Sequence, residues 1–307
     1  MRLDKRIFVS IFLAFVLFIS SLVFAAGVDL VILHTNDIHG RIEIGDGMLG
    51  MPYIRALVEY YRERYDHVLV MDAGDTIHGR PITDRLEGES AVISMNLVGY
   101  DFMVPGNHDF NYGYDRLLEL EEMMEFHLVA ANVFKDGVLL FNPYVVKEVG
   151  DYSIGVFGLA TSDTYTTTHP NNIIGIEFGD MIEASRKYVD LLRNEYKVDM
   201  VIAVGHVGTS ATKAVVSQVQ GIDLFVDGHS HCLHLRGEWV GDTLIVQANE
   251  YTKYLGMVTI DLSGERPVME ARVIPASEGK ELVDPDEELD EMMQEFRDEI
   301  RRLILGF

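Results

Sequence analysis

Gly106-Asn107-His108-Asp109-Phe110 follows a short apolar run, Phe102-Met103-Val104, across a Pro105-Gly106 turn. The stretch sets an amide, an imidazole and a carboxylate side by side at the exit of a predicted strand. An amide oxygen can coordinate a hard or borderline cation, and an imidazole can move protons near neutral pH. Alone, the triplet says little, because Asn and Asp populate turns for local hydrogen-bonding reasons. Its meaning depends on whether other strand ends supply matching groups.

Other strand ends do. Asp37 and His39 follow the predicted strand Val28–Leu33, and Asp75, in Gly74-Asp75, follows Val68–Met71. His206 follows Met200–Val204 within Gly205-His206-Val207-Gly208, and His229 and His231 follow Ile222–Val226 within Gly228-His229-Ser230-His231. Residues two apart on extended backbone point the same way, so Asp37/His39 and His229/His231 can each offer two groups to one place. The flanking glycines let the backbone turn tightly there. In open α/β sheets, sites form beyond the carboxyl ends of the strands. A lone histidine after a strand is usually a solvated or satisfied residue. Five such sets, Asn107-His108 included, point instead to one metal-binding cleft. His34, His67, His127, His169 and His234 lack such partners and read as ordinary residues. His78 does too, although it lies near enough to Asp75 to line the cleft.

Between these strands, Met51, Ile54, Leu57, Val58, Tyr61 and Tyr65 recur at helical spacing, and Ser90–Val98 and Leu117–Met124 predict further helices. Val138–Val149 and Tyr152–Leu159 predict strands about a Gly150-Asp151 turn, and Thr161–Asn172 a long polar loop. Asp180 is the expected cap of the next helix, with Glu183 completing a capping box. Thr243–Ala248 and Met257–Leu262 predict strands paired as antiparallel neighbours. A last helix is capped by Asp284, with Pro285 at its first position, Glu287 closing the box, and an apolar stripe running from Leu289 to Leu303. Strands alternating with amphipathic segments predict an α/β (or α+β) layered fold. The expected organisation is a catalytic domain over 26–280 and a C-terminal helix over 281–307.

Arg2, Lys5 and Arg6 precede an apolar run from Ile7 to Phe24, and Val23-Phe24-Ala25 offers small residues for cleavage. Residues 1–25 therefore read as a secretory signal peptide, with an uncleaved membrane anchor as the runner-up. The expected location is periplasmic or extracellular. One cysteine, Cys232, excludes an intramolecular disulfide framework despite the exported context. A formal net charge of −24 argues against nucleic-acid binding through a basic surface. It also repels anionic substrates, so chemistry on a phosphate requires positive charge supplied locally, as metal ions would supply it.

Taken together, Asp37-Ile38-His39, Gly74-Asp75, Gly106 through Asp109, Gly205-His206 and Gly228 through His231 resemble the calcineurin-like metallophosphoesterases. Leu33 through Gly40, Gly106 through Gly113 and Gln247 through Gly256 are similar to the 5′-nucleotidase and UDP-sugar hydrolase branch. The resemblance implies a four-layer αββα sandwich of two mixed sheets flanked by helices, with a dinuclear metal centre at the strand ends. It implies one ion held by Asp37, His39 and His231, a second held by Asn107, His206 and His229, and Asp75 bridging them. Two divalent ions about 3.5–4 Å apart would activate a bridging water and clamp the phosphoryl oxygens during in-line attack. The donor set suits Mn²⁺, Zn²⁺, Co²⁺ or Fe without choosing among them.

By the same resemblance His108 is not a ligand but sits over the phosphate, stabilising transition-state charge or protonating the leaving oxygen. Relatives in this branch usually pair it with an Asp three residues on. This chain has Asn111, whose amide is expected to accept the ring N–H and orient it. The implied substrate is a nucleotide or related small phosphoester. The alternatives are a 2′,3′-cyclic nucleotide phosphodiesterase, a UDP-sugar pyrophosphatase, a sulfur-ester hydrolase, or a metal-retaining binding module without activity. Relatives also carry a C-terminal domain that stacks on the nucleobase, joined through a helix like that at 281–307. That clamp is expected to be absent or carried by a separate chain.

Overall fold

The structure, a computed structural model, describes residues 27–306, so the expected export segment lies outside them. In chain order the strands are β1 (Leu30–Thr35), β2 (Val68–Asp72), β3 (Phe102–Met103), β4 (His127–Leu128), β5 (Val133–Lys135), β6 (Val138–Leu139), β7 (Tyr144–Val149) and β8 (Tyr152–Ala160). The second half adds β9 (Ile176–Phe178), β10 (Met200–His206), β11 (Leu224–Asp227), β12 (Glu238–Val240), β13 (Thr243–Val246), β14 (Tyr254–Asp261) and β15 (Val268–Pro275). They form two six-stranded sheets, ordered β15-β14-β1-β2-β3-β4 and β12-β13-β11-β10-β8-β7, and a small sheet β6-β5-β9. Both large sheets are mixed. β1 to β4 run parallel, β14 runs antiparallel between β1 and β15, and β8, β10, β11 and β13 run parallel between antiparallel edges β7 and β12.

Strand alternation builds the layers. On β1, Leu30 and Ile32 face a core made only of strand and adjoining loop residues from both sheets, including Met71, Ile154, Ile202, Val204, Leu224 and Val258. Val31 and Leu33 face the other way, against Ile54, Leu57, Val92, Met95, Leu289 and Phe296 of three helices. The second sheet does the same with Val201, Ala203 and Phe225, which pack against Val189, Leu192, Val215 and Val216. Period-two apolar strands covered on both faces thus give four layers, helix–sheet–sheet–helix. Each fully buried Leu or Ile contributes roughly 1.5–3 kcal/mol of transfer free energy.

Several local expectations are corrected. Thr243–Val246 and Tyr254–Asp261 are not neighbours: β13 pairs with β11 and β12, whereas β14 pairs with β1 and β15. The chain between them crosses from one sheet to the other instead of forming a hairpin, with Asn249, Tyr251 and Thr252 in left-handed backbone. The last helix, Glu287–Leu305, is capped by Asp286, whose carboxylate accepts the Leu289 N–H; Asp284-Pro285 stays outside it. Leu289, Met293, Phe296 and Ile300 bury its stripe in the outer core, while Leu303 is exposed. Val138–Val149 is broken between Leu139 and Tyr144, and the expected loop after β8 contains short helical turns at Thr164–Thr167 and Pro170–Ile173. The Asp180 cap is present, accepting the Ile182 and Glu183 N–H groups. Among the described residues, no helix is long and apolar enough to cross a membrane.

Candidate metal centre

β1, β2 and β3 of one sheet and β10 and β11 of the other end at the same edge of the sandwich, and the turns beyond them carry Asp37, His39, Asp75, Asn107, His206, His229 and His231. Asp37, His39, Asp75, His229 and His231 have φ of 52°, 49°, 59°, 73° and 52°. Left-handed backbone at a residue with a side chain costs on the order of 1–3 kcal/mol and persists only where the surroundings impose it. Here the turns impose it on each other. The Asp37 N–H donates to the Gly74 carbonyl at 2.9 Å, the His39 N–H to the Asp75 carbonyl at 2.8 Å, and the His229 N–H to Asp37 Oδ2 at 3.0 Å.

The side chains converge. His231 Nε2 is 3.1 Å from Asp37 Oδ1 and 3.3 Å from His39 Nε2, so two imidazole nitrogens and a carboxylate oxygen face one point. His206 Nε2 lies 3.2 Å from Asp75 Oδ2 and 3.1 Å from Asn107 Oδ1. Asp75 Oδ2 is also 3.8 Å from His39 Nε2, so this carboxylate stands between the two histidine groups. The His229 ring packs 5.1 Å from that of His206, and its Nε2 is 3.1 Å from Asp163 Oδ2. Asp37-His39-His231, Asp37-Asp75-His206 and His39-Asp75-His108 each bring their donor atoms within 4.8 Å of one another. Opposed imidazole nitrogens ringed by carboxylates are what a divalent cation satisfies, so the donor set fits metal.

Hydrogen bonds on the far side of the rings fix which nitrogen faces inward. His206 Nδ1 is 2.7 Å from the Ala73 carbonyl, and His231 Nδ1 is 2.7 Å from Glu250 Oε2. Each must be N–H there, so once a cation displaces the second ring proton, Nε2 is the lone pair aimed at the centre. Burial, only partly offset by Asp75 and Asp37, pushes His39 down to about 4, keeping it neutral and ready to ligate. Burial also opposes a proton on His206, but Asp75 and Asp37 outweigh it and raise that ring to about 10. Burial pushes Asp75 up, and the His206, His39 and His108 imidazoles outweigh it, holding the carboxylate below its usual range.

His108 sits beside this cluster, its ring 5.2 Å from that of His39 and its backbone N–H donating to Asp75 Oδ1 at 2.7 Å. Asn111 is its partner, but the polarity differs from expectation. The amide nitrogen, not the oxygen, faces the ring, with Nδ2 2.9 Å from His108 Nδ1 and 3.2 Å from His78 Nδ1. One NH₂ has two protons and so serves both rings, which a carboxylate could do only if both were protonated on Nδ1. His78, read from the sequence as a bystander, stacks parallel to His108 at 5.9 Å. Asn111 is itself held by the Asn172 amide on its carbonyl at 2.7 Å and lies 3.3 Å from Thr168 Oγ1.

Residues 30–233 match the calcineurin-like phosphoesterase family. The chain belongs to that family. Curated relatives include the trifunctional nucleotide phosphoesterase protein YfkN of Bacillus subtilis, 30% identical over 88% of this chain and 21% of its own. Bovine 5′-nucleotidase is 30% identical over 76% of this chain and 46% of its own. The chain thus spans about half or less of the length of these relatives. The sulfate thiohydrolase SoxB of Thermus thermophilus shares the fold, with a TM-score of 0.81 at 23% identity over 87% of this chain and 60% of that one.

Within this phosphoesterase fold, three supporting carboxylates escaped the sequence reading. Asp109, within Gly106–Phe110, accepts the N–H groups of Asp75, Thr76, Ile77 and Gly106 at 2.7–3.1 Å and so locks two site turns together. Glu250 orients His231. The match of Gln247 through Gly256 to a branch pattern brought it within sight, but only the fold puts its carboxylate on that ring. Glu250→Ala is expected to weaken metal binding by about 10- to 100-fold, measured by titration of the metal-free protein. Unchanged affinity would show that Glu250 does not support the ring.

Asp72, at the end of β2, is buried and accepts from Thr35 Oγ1 at 2.6 Å, Thr76 Oγ1 at 2.8 Å and the Gly74 N–H at 3.0 Å. Burial outweighs these bonds and pushes it from 3.8 to about 7. Its folded pKa exceeds the unfolded one, so its contribution to stability is full below about pH 4 and is lost as pH rises through 7. In Asp72→Asn the amide can donate to Thr35, whose hydroxyl then donates to Tyr100, 2.8 Å away. That variant should gain roughly 2–4 kcal/mol over the parent at pH 8 relative to pH 4 in denaturant unfolding. Parallel stability–pH curves would contradict this account of Asp72.

Proposed function

We propose that the chain is an exported phosphoesterase that hydrolyses nucleotides or related phosphate esters at a dinuclear metal centre. The convergence of Asp37, His39, Asp75, Asn107, His206 and His231 on one cleft, with the His229 ring packed against His206 and His108 at the rim, supports this reading. Asp37, His39 and His231 would hold one ion, Asn107, His206 and His229 the other, and Asp75 both. When bound, the two ions supply an activated water and neutralise charge on the phosphate. The rest falls to the chain. Asp109 and the interlocked turns keep the donors in place, so little reorganisation accompanies binding. Asn111, donating to His108 Nδ1, leaves a proton on Nε2 for a hydrogen bond to a phosphate oxygen. That polarity favours charge stabilisation by a neutral imidazole over proton donation.

Export is supported by the basic start and apolar run before Ala25. The acidic surface supports a small-molecule substrate drawn in by the metals rather than by the protein's own field. The test is a panel of 5′-nucleotides, 2′,3′-cyclic nucleotides, a UDP-sugar and an aryl phosphate, run on metal-loaded protein with metal content measured. Hydrolysis of a nucleotide supports the proposal. Two bound ions with no hydrolysis of any ester overturns it in favour of a binding module.

A further inference from the structure

Arg41 follows the Asp37-Ile38-His39 turn and is only partly buried. In a chain of 49 acidic and 25 basic residues, it has no carboxylate within 4 Å among the described residues. Among the described residues, its side chain makes a single hydrogen bond, from Nη1 to the His39 carbonyl at 3.0 Å. Its guanidinium carbon lies 3.4 Å from the centroid of the Tyr251 ring, a face-on contact distance. Tyr251 in turn packs edge-on against His39 at 5.7 Å and His231 at 6.0 Å. Lys253 is also near that ring, but its ammonium is taken by Glu250 at 2.7 Å.

The segment that carries Tyr251 is strained and pinned. Asn249, Tyr251 and Thr252 have φ of 64°, 60° and 56°, and the Tyr251 N–H donates to the Asp37 carbonyl at 2.9 Å. Strain of this kind is held where geometry matters to a site. Here it fixes an aromatic plate, and the plate fixes a cation beside the two imidazoles. A guanidinium stacked on a ring keeps the N–H donors along its edge for an oxyanion.

We infer that Arg41, held by Tyr251, is a specificity residue that binds a second anionic group of the substrate, a phosphate adjacent to the scissile one. This rests on the phosphoesterase reading of the neighbouring centre. An unpaired charge-assisted contact of this type is worth about ten- to hundredfold in affinity. The site therefore favours esters bearing a second phosphate over those bearing one.

The test compares kcat/KM for a nucleoside diphosphate, the matching monophosphate and an aryl phosphate, in the parent and in Arg41→Ala, Arg41→Lys and Tyr251→Ala, with metal content measured on each. The expected result is a selective loss of about ten- to hundredfold on the diphosphate in Arg41→Ala. Tyr251→Ala should reproduce it in direction, and Arg41→Lys should fall between. Equal losses on all three substrates, loss of metal together with all activity, or no loss at all would overturn the inference. A parent protein that cleaves none of the three would instead refute the phosphoesterase reading itself.

Discussion

His108→Ala is expected to lower turnover of a nucleotide ester by about 10²- to 10⁴-fold while leaving the metal content and the melting temperature close to those of the parent. The ring is only partly buried and its Nδ1 is taken by Asn111, so although a ring nitrogen lies within 4.8 Å of donors on His39 and Asp75, the metals are expected to be held without it. What it holds in place of a carboxylate, the Asp75 Oδ1 contact, comes from its backbone N–H and survives truncation. Loss of activity without loss of metal therefore separates His108 from its neighbour Asn107, whose Oδ1 faces His206. His108→Gln, which keeps a side-chain N–H, should recover part of the loss if the ring acts as a hydrogen-bond donor. Full activity in His108→Ala would remove it from the reaction.

Asp75→Asn should do the opposite, losing metal first and activity as a consequence. Its Oδ2 stands 3.2 Å from His206 Nε2 and 3.8 Å from His39 Nε2, so one change removes a negative charge from both halves of the centre. The backbone N–H that Asp109 binds is untouched, and the amide is close in shape, so the fold should persist. Metal affinity is expected to fall by at least about 100-fold, the upper end of what losing even a supporting group costs. Hydrolysis should return in part at high metal concentration. Loss of activity with two tightly held ions would mean that Asp75 does not join them.

Much of this was legible in the chain because two independent periodicities agreed. Apolar runs at strand spacing ended, time after time, in Gly followed by Asp, Asn or His, and strand ends at a sheet edge are where side chains from distant segments meet. The four layers follow from the same alternation, as Leu30/Ile32 and Val31/Leu33 facing opposite cores illustrate. What resisted was tertiary. Nothing local says that 247–253 passes between sheets rather than turning back, since a hairpin and a crossover of that length read alike. Glu250 owes its role to that path alone. Asp284 and Asp286 are both credible caps, and only the position of the helix against Arg55, which bonds Asp286 Oδ1 at 3.1 Å, distinguishes them. Asn111 was found by comparison with a pattern, but the direction of its amide depends on His78, a residue that spacing left without a partner.

The seven strand-end residues are proposed to form one centre that holds two divalent ions and hydrolyses phosphoesters. The most direct measurement is metal stoichiometry of the protein loaded with Mn²⁺ or Zn²⁺, taken in parallel with phosphate release from a nucleotide, before and after chelation. The expected result is two ions per chain, with activity that disappears when they are removed and returns on reloading. Phosphate release that persists in the fully metal-free protein, or a chain that binds no divalent ion at all, would contradict it.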